Sequence, residues 1–346
     1  MTKKREPLVF LKDWLSQELS PSERNDPAFV SFFNIMADPL FEPYMRKIAR
    51  RMENLKTEWR NFEETAELFV ALPGEIPQVK GIDIYGECIP LKGKVGGDHI
   101  TYVDFNQRFD LDRLVDEYRR NGLRNLEEKL SVTRRRGGIA LLDVEGHSAS
   151  DAFLAALFHQ AFLLGIAYEL RLFGEVTTNL FERINIRFYN SSAIWKSLTM
   201  IYGEISQEGT FRFLSAGHLP PKVFSYNYDR IVNISEDRLV SFPPIGSVPM
   251  KGQVEKFDLS LMGYKEKYTI NEINLMGKGD ILILYTDGLS ELADQQGYLY
   301  FPEHLETVLR RVKTLSAKEI FGAIKEDLLS FGRRQDDLSF VIIKKE

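Results

Sequence analysis

The sequence predicts an α+β sandwich built on antiparallel sheets, and three observations carry that expectation. Short strand-like runs recur at Ile82 to Ile89, His99 to Phe105, Gly138 to Asp143, Leu198 to Ile205, Thr210 to Ser215, Asp280 to Tyr285 and Leu338 to Lys344. Two long helical stretches, Ser150 to Phe173 and Thr177 to Phe188, lie among them, and a last helix runs from about Ala317 to Phe331. Strands in series with paired helices between them bury their apolar faces as stacked layers of sheet and helix.

Before the strands the texture differs. Residues 1–40 read as helical and irregular, with a turn near Pro21 to Pro27. From Met45 the pattern sharpens: Met45, Ile48, Met52, Leu55, Trp59, Phe62, Ala66 and Phe69 alternate by three and four, with Arg, Lys and Glu between. Pro73 and Gly74 stop this helix. Such a seam either packs on its own domain or pairs with a second copy as a coiled coil over 45–72. The expected division is therefore a helical region over 1–75 and a larger domain over 76–346.

The 346 residues suit one large domain with a smaller one. With 44% hydrophobic and 27% charged residues, a packed core is within reach and global disorder is not expected. A net charge of -5 argues against nucleic acid as a partner. One cysteine, Cys88, allows no intrachain disulfide, which suits a reducing, cytoplasmic setting. The stretch MTKKREPLVF has no apolar run of signal-peptide length. The most apolar segment, Ala152 to Tyr168, contains His159 and Gln160 and falls about one turn short of a membrane span, so it reads as a buried helix.

Four aspartates sit at strand ends. Asp98 opens a strand in VGGD, Asp143 closes one in ALLDVEGH, Asp287 closes one in ILILYTDG, and Asp336 stands just before DLSFVII. Each alone is a common turn residue. In antiparallel sheets, however, the start of one strand lies beside the end of its neighbour, so the four carboxylates are expected at one sheet edge. Together they cannot stay ionised without cations, and hard divalent ions such as Mg²⁺ or Mn²⁺ suit oxygen donors. Residues 107–136 are charged, carry RRR at 134–136, and read as an insertion; because they join two strands that end near this site, they are expected to form a mobile cover or docking segment beside it, the competing reading being a solvated surface excursion with no role.

The ordered motifs resemble those of the SpoIIE/RsbU branch of the PPM (protein phosphatase 2C-like) family. They are ALP at 71–73, VGGD at 95–98, DVEGH at 143–147, SAGHLPP at 215–221, PPIG at 243–246, GDILILYTDGLSE at 279–291 and DDLSFVI at 336–342. The sequence departs from the family pattern at Ser148, at His99 to Val103 with Asp104 displaced, and in the length of the segment between VGGD and DVEGH.

The resemblance implies a PPM-type α-β-β-α sandwich and a metal-dependent protein serine/threonine phosphatase with two Mn²⁺ or Mg²⁺ ions. It implies that Asp143 bridges the metals, with the Val144 carbonyl and Asp98 at the first and Asp287 and Asp336 at the second, and that a metal-bridging water attacks phosphorus directly. His147 is a candidate proton donor to the leaving oxygen. The implied substrate is a phosphoserine or phosphothreonine regulatory protein, such as a STAS-type anti-sigma antagonist, and the implied assembly is a homodimer through the N-terminal helix. An inactive phosphatase-fold scaffold is the competing reading. A diguanylate cyclase, suggested by GGD at 96–98, fails at His99-Ile100, where that activity needs Glu-Phe. His218 is expected to order a turn, His99 and His159 to be structural, and Asp337 to be structural because it points to the opposite face from its neighbour.

Overall fold

The computed structural model describes residues 42–70, 74–91, 93, 96–146, 149–191, 196–232, 234, 238–250, 263–275 and 277–346. Two compact units divide between Thr65 and Ala66. Helix α1 (Glu42–Val70) carries the expected seam. On it Ile48, Leu55 and Trp59 are exposed by 47%, 64% and 52%, so the stripe faces outward. Residues 1–40 and Pro73, for which a helical region and a helix stop were expected, lie outside the described residues.

The larger unit is a four-layer sandwich. Its strands are β1 (Ile82–Ile89), β2 (His99–Asp104), β3 (Arg136–Val144), β4 (Leu198–Ser206), β5 (Thr210–Ala216), β6 (Lys222–Ser225), β7 (Arg230–Val232), β8 (Ser241–Phe242), β9 (Asn271–Asn274), β10 (Ile281–Tyr285) and β11 (Leu338–Lys345). One sheet runs β1-β11-β10-β6-β7; the other runs β2-β3-β4-β5-β8, with β9 also on β5. Pairing is antiparallel except for the short β5–β8 ladder.

Alternation along the strands sorts the side chains into layers. Ile100, Leu141, Ile201, Leu282, Leu284, Val341 and Ile343 fill the space between the sheets. Their neighbours Leu142, Val144 and Met200 turn the other way, onto α5 (Ala149–Phe173) and α6 (Thr178–Asn190). On the other sheet Ile281, Ile283, Phe340 and Ile342 pack under α8 (Glu303–Val312) and α9 (Ala317–Phe331). Ser316 and Glu319 close a capping box at the start of α9.

Helix α5 starts one residue before the expected Ser150 and ends at the expected Phe173, and by length and composition it could cross a membrane. Its Ala155, Phe158, Phe162, Ile166 and Leu170 nevertheless belong to the core over the second sheet. It is an outer-layer helix whose inner face is buried on the sheet, while Leu157, Leu164, Tyr168 and Leu172 are exposed.

The segment expected as a mobile cover is neither mobile in its packing nor beside the aspartates. It folds as α2 (Phe105–Arg108), α3 (Leu111–Arg120) and α4 (Arg124–Thr133). Leu111, Tyr118 and Leu130 are fully buried, and the Tyr118 hydroxyl donates to the Leu170 carbonyl of α5. The reason for the misplacement is strand direction. Asp98 precedes β2 and Asp143 nearly ends β3, so the connection that leaves β2 at Asp104 and enters β3 at Arg136 lies at the opposite end of both strands. Asp104 itself caps α2, accepting from the Asn106 and Gln107 amides.

Candidate metal centre

Register brings the four aspartates together in two pairs. In the second sheet His99 lies opposite Leu142, and the Val144 amide donates to the Gly97 carbonyl at 3.3 Å, which sets Asp98 opposite Asp143. In the first sheet Tyr285 lies opposite Phe340, and the Thr286 amide donates to the Ser339 carbonyl at 3.0 Å. Asp287, at the head of α7 (Asp287–Ser290), thus stands beside the Asp336-Asp337 lead into β11. The expectation of one sheet edge is corrected: β2–β3 and β10–β11 belong to different sheets, and the two pairs face each other across the mouth of the sandwich. Alternation requires this, since Asp143 shares its face with Leu141 and Asp98 shares its face with Ile100, both in the inter-sheet core.

Three contacts hold the arrangement. The Thr286 hydroxyl, fully buried, donates to Asp98 Oδ2 at 2.8 Å and joins the two sheets at this end. Asp337, 3% exposed, accepts from the Gly97 amide at 2.7 Å and from the Leu91 amide at 2.7 Å, so its carboxylate shapes the turn that delivers Asp98. Gly97 has no room for a side chain: a methyl carbon there would fall 2.2 Å from the Gly146 carbonyl oxygen and 2.4 Å from that of Val144. The Val144 carbonyl therefore lies in the same turn cluster as Asp98.

The electrostatics follow from crowding. Burial, and then the charge of Asp143, pushes the Asp98 carboxyl well above its usual range. Burial pushes Asp143 up to about 7, with Asp287, Asp336, Asp337 and Glu145 adding to it. Asp287 is raised by burial and by Asp336. Among the described residues none of these aspartates has a Lys, Arg or His ion-pair partner. The missing counter-charge and the all-oxygen donor set fit divalent hard cations. The carboxylates converge pairwise along an open mouth: among the described residues no three acidic, His or Cys side chains close into a cage.

The remaining candidates are placed as follows. His147 and Ser148 lie outside the described residues. His99 and His159 are buried against each other, His99 Nε2 to His159 Nδ1 at 2.8 Å, with Thr101 Oγ1 at 2.9 Å from the same Nδ1. His218 is buried, and its Nδ1 is 2.9 Å from the hydroxyl of Thr199, the residue opposite Asp143 on β4. Its imidazole is thus one residue removed from the site, closer than a turn-ordering role alone suggests. Burial pushes the Cys88 thiol up, which removes it as a nucleophile at neutral pH. Thr286, Thr199 and Asp337 were not marked by motif as carboxylate neighbours; only strand register reveals them.

Residues 133–346 match the family model described as Stage II sporulation protein E (SpoIIE). That match begins after β2, so Asp98 rests on geometry and the VGGD motif. No curated protein matches the chain. Among solved structures, the RsbU and RsbW domains of a Mycobacterium tuberculosis protein are similar, with a TM-score of 0.53 and 18% identity over 78% of this chain and 62% of that one. The SiaA-PP2C domain of Pseudomonas aeruginosa gives 0.51 and 12% identity over 88% and 98%. The PP2C phosphatase domain with a regulatory fragment of SpoIIE from Bacillus subtilis gives 0.51 and 16% over 76% and 61%. The chain therefore spans under two thirds of the first and third of these, and the likeness at these identities is one of fold.

Proposed function

The chain belongs to the SpoIIE family, whose structural neighbours are PP2C-type phosphatase domains, and from that premise we propose that it is a metal-dependent protein serine/threonine phosphatase. The observation that carries the reading is the meeting of Asp98–Asp143 and Asp287–Asp336 between the sheets, Asp98 buried and the others half-buried, mutually repelling and without a cationic partner among the described residues. Asp98, Asp143, Asp287, Asp336 and the Val144 carbonyl would hold two Mn²⁺ or Mg²⁺ ions. Bound there, such ions supply an activated water and neutralise phosphoryl oxygens. The chain's own part is positional. Asp337 holds the Gly97-Asp98 backbone, Thr286 orients the Asp98 carboxylate, and the two sheets keep the carboxylates facing one another. His147 remains the candidate proton donor to the leaving oxygen.

The proposed substrate is a phosphoserine or phosphothreonine side chain on a regulatory protein, for which a STAS-type anti-sigma antagonist is the model. The proposed setting is the cytoplasm, with the division at about residue 75 separating a helical regulatory region from the phosphatase domain. The exposed stripe on α1 supports pairing with a second copy.

The test is hydrolysis of 4-nitrophenyl phosphate and of a phosphoserine peptide with Mn²⁺ or Mg²⁺, beside calorimetric titration of the metal. Asp143→Asn should lose more than the 10- to 100-fold typical of a residue that only supports a ligand, together with metal affinity. Folded wild-type protein that binds metal but turns over neither substrate would favour the scaffold reading.

A further inference from the structure

A lysine packs against the turn that follows Asp143. Lys196 lies just before β4, in the run-in that continues the β3–β4 ladder past Val144. There the Glu145 amide donates to the Ser197 carbonyl at 2.9 Å, and the Ser197 amide donates to Glu145 Oε2 at 3.2 Å. This ties residues 196–197 alongside the turn that follows Asp143.

The side chain is fixed as well. Lys196 Nζ hydrogen-bonds Asp151 Oδ1 in the first turn of α5. The carboxylate is buried, 1% exposed, whereas the lysine side chain is 40% exposed. The ammonium is therefore held from behind and open in front. Its place relative to the centre is given by Gly146, which has a φ of +107°. A methyl carbon on Gly146 would fall 2.6 Å from Asp151 Oδ2 and 3.5 Å from Lys196 Nζ. The same turn presses the Gly146 and Val144 carbonyls against Gly97, the residue before Asp98. The ammonium thus stands against Gly146, three residues past Asp143, in the turn that packs on Gly97.

An ammonium has three donors. Asp151 takes up one, and among the described residues no other acceptor is within hydrogen-bond reach of Nζ. A lysine is ordinarily a mobile point charge on a long stem, and pairing with a buried carboxylate removes that freedom in advance of binding. A mouth lined by aspartates repels an incoming phosphate dianion, so a fixed cation at its rim offsets that repulsion.

We propose that Lys196, positioned by Asp151 beside Gly146, is a substrate-binding residue that donates to a phosphoryl oxygen. The proposal rests on the phosphatase reading for its substrate and names the side chain that recognises it. Asp151 is then a positioning residue for Lys196.

The competing role is a structural one, an ion pair that staples the β4 run-in to α5. Lys196→Met alone confounds the two, because it takes the ammonium away from a buried carboxylate. The informative variant is Lys196→Met with Asp151→Asn, which removes both charges, set beside Lys196→Arg. Three quantities are read on metal-loaded protein: thermal midpoint, calorimetric affinity for inorganic phosphate, and KM and kcat for 4-nitrophenyl phosphate and for phosphoserine peptides with and without acidic neighbours. In the double variant, phosphate affinity should fall about tenfold, the loss of one charge-assisted hydrogen bond at a part-exposed site. KM should rise by a similar factor on every substrate, by more than kcat falls, while the thermal midpoint returns near wild type. Lys196→Arg should stay within about threefold. Wild-type phosphate affinity in a double variant of wild-type stability would overturn the proposal and leave the staple. A KM change confined to peptides with acidic neighbours would overturn it too, by assigning the lysine to the flanking sequence. Because phosphate binding is read without turnover, a wild-type protein that hydrolyses nothing would sink the phosphatase reading while the calorimetry still decides Lys196.

Discussion

Asp337 illustrates why single residues were harder to interpret than motifs. It sits beside Asp336 in DDLSFVI, and the sequence distinguishes them only by strand alternation. In the structure Asp337 accepts from the Gly97 and Leu91 amides, more than two hundred positions away, a relation no local pattern contains. The histidines offer a measurable case. His159 is pushed down to about 4, first by burial and then by the charge of Arg108, from an ordinary value of 6.5. The unfolded chain thus takes up this proton below about pH 6.5, while the folded chain resists until about pH 4. The residue's contribution to stability is full above pH 6.5 and is lost as pH falls toward 4. Between pH 4.5 and 6, the urea-derived unfolding free energy of the wild type should rise with pH about 1 kcal/mol per unit more steeply than that of His159→Gln. Parallel slopes would show that His159 titrates alike in both states.

At the scale of elements, legibility followed amphipathic contrast. The strands β3, β10 and β11 are legible as apolar runs bounded by polar residues, and β1 by the alternation of Ile82 and Ile84 with polar neighbours. β9, with the sequence NEIN, is not: its buried Asn271 conceals the alternation that Ile273 completes. Helix α8 has Leu305, Val308, Leu309 and Val312 at helical spacing, a signal that was present and went unread among its charges. The same happened in 107–136, where Leu111, Leu114, Val115 and Tyr118 form one face of α3. Charge count suggested a solvated excursion, but three or four well-placed apolar residues suffice to bury a short helix. Leu130 in α4 is fully buried. Leu130→Ala should therefore cost about 3 kcal/mol of stability in urea unfolding. Turnover per folded molecule should be unchanged on both a small phosphoester and a phosphoprotein. Selective loss on the phosphoprotein would restore the cover role.

For the whole molecule, the sequence supported four donors converging but not the surface on which they converge. Strand pairing within each sheet could be inferred from Asp at a start beside Asp at an end. That the pairs belong to two sheets is a question of global topology, and no residue near the aspartates encodes it. Assembly is the other property at this scale. The stripe on α1 leaves Leu55 64% exposed, and apolar rows of this length on a helix are ordinarily covered. Met52→Asp with Leu55→Asp should convert a dimer to a monomer in light scattering, with an unchanged far-ultraviolet spectrum and an altered phosphatase rate. A wild-type chain that is already monomeric at micromolar concentration would remove α1 pairing as a means of control.

The order of the first sheet, β1-β11-β10-β6-β7, has a consequence for how the protein comes into being. In it β11, the strand that joins β1 to β10, is the last of the eleven to be synthesised. From the end of β1 at Ile89 to the start of β11 at Leu338 the ribosome adds roughly 250 residues, which at about 5–20 residues per second takes about 12–50 seconds. Throughout that interval β1 waits with an unpaired edge, and β10 adds a second one only late, after Tyr285; such edges invite the wrong neighbour. The same late segment delivers Asp336 and Asp337. The nascent chain thus carries Asp98 and Asp143 for most of its synthesis without the strand that brings Asp336 to them, and the four carboxylates meet in one step, with the closing of the sheet.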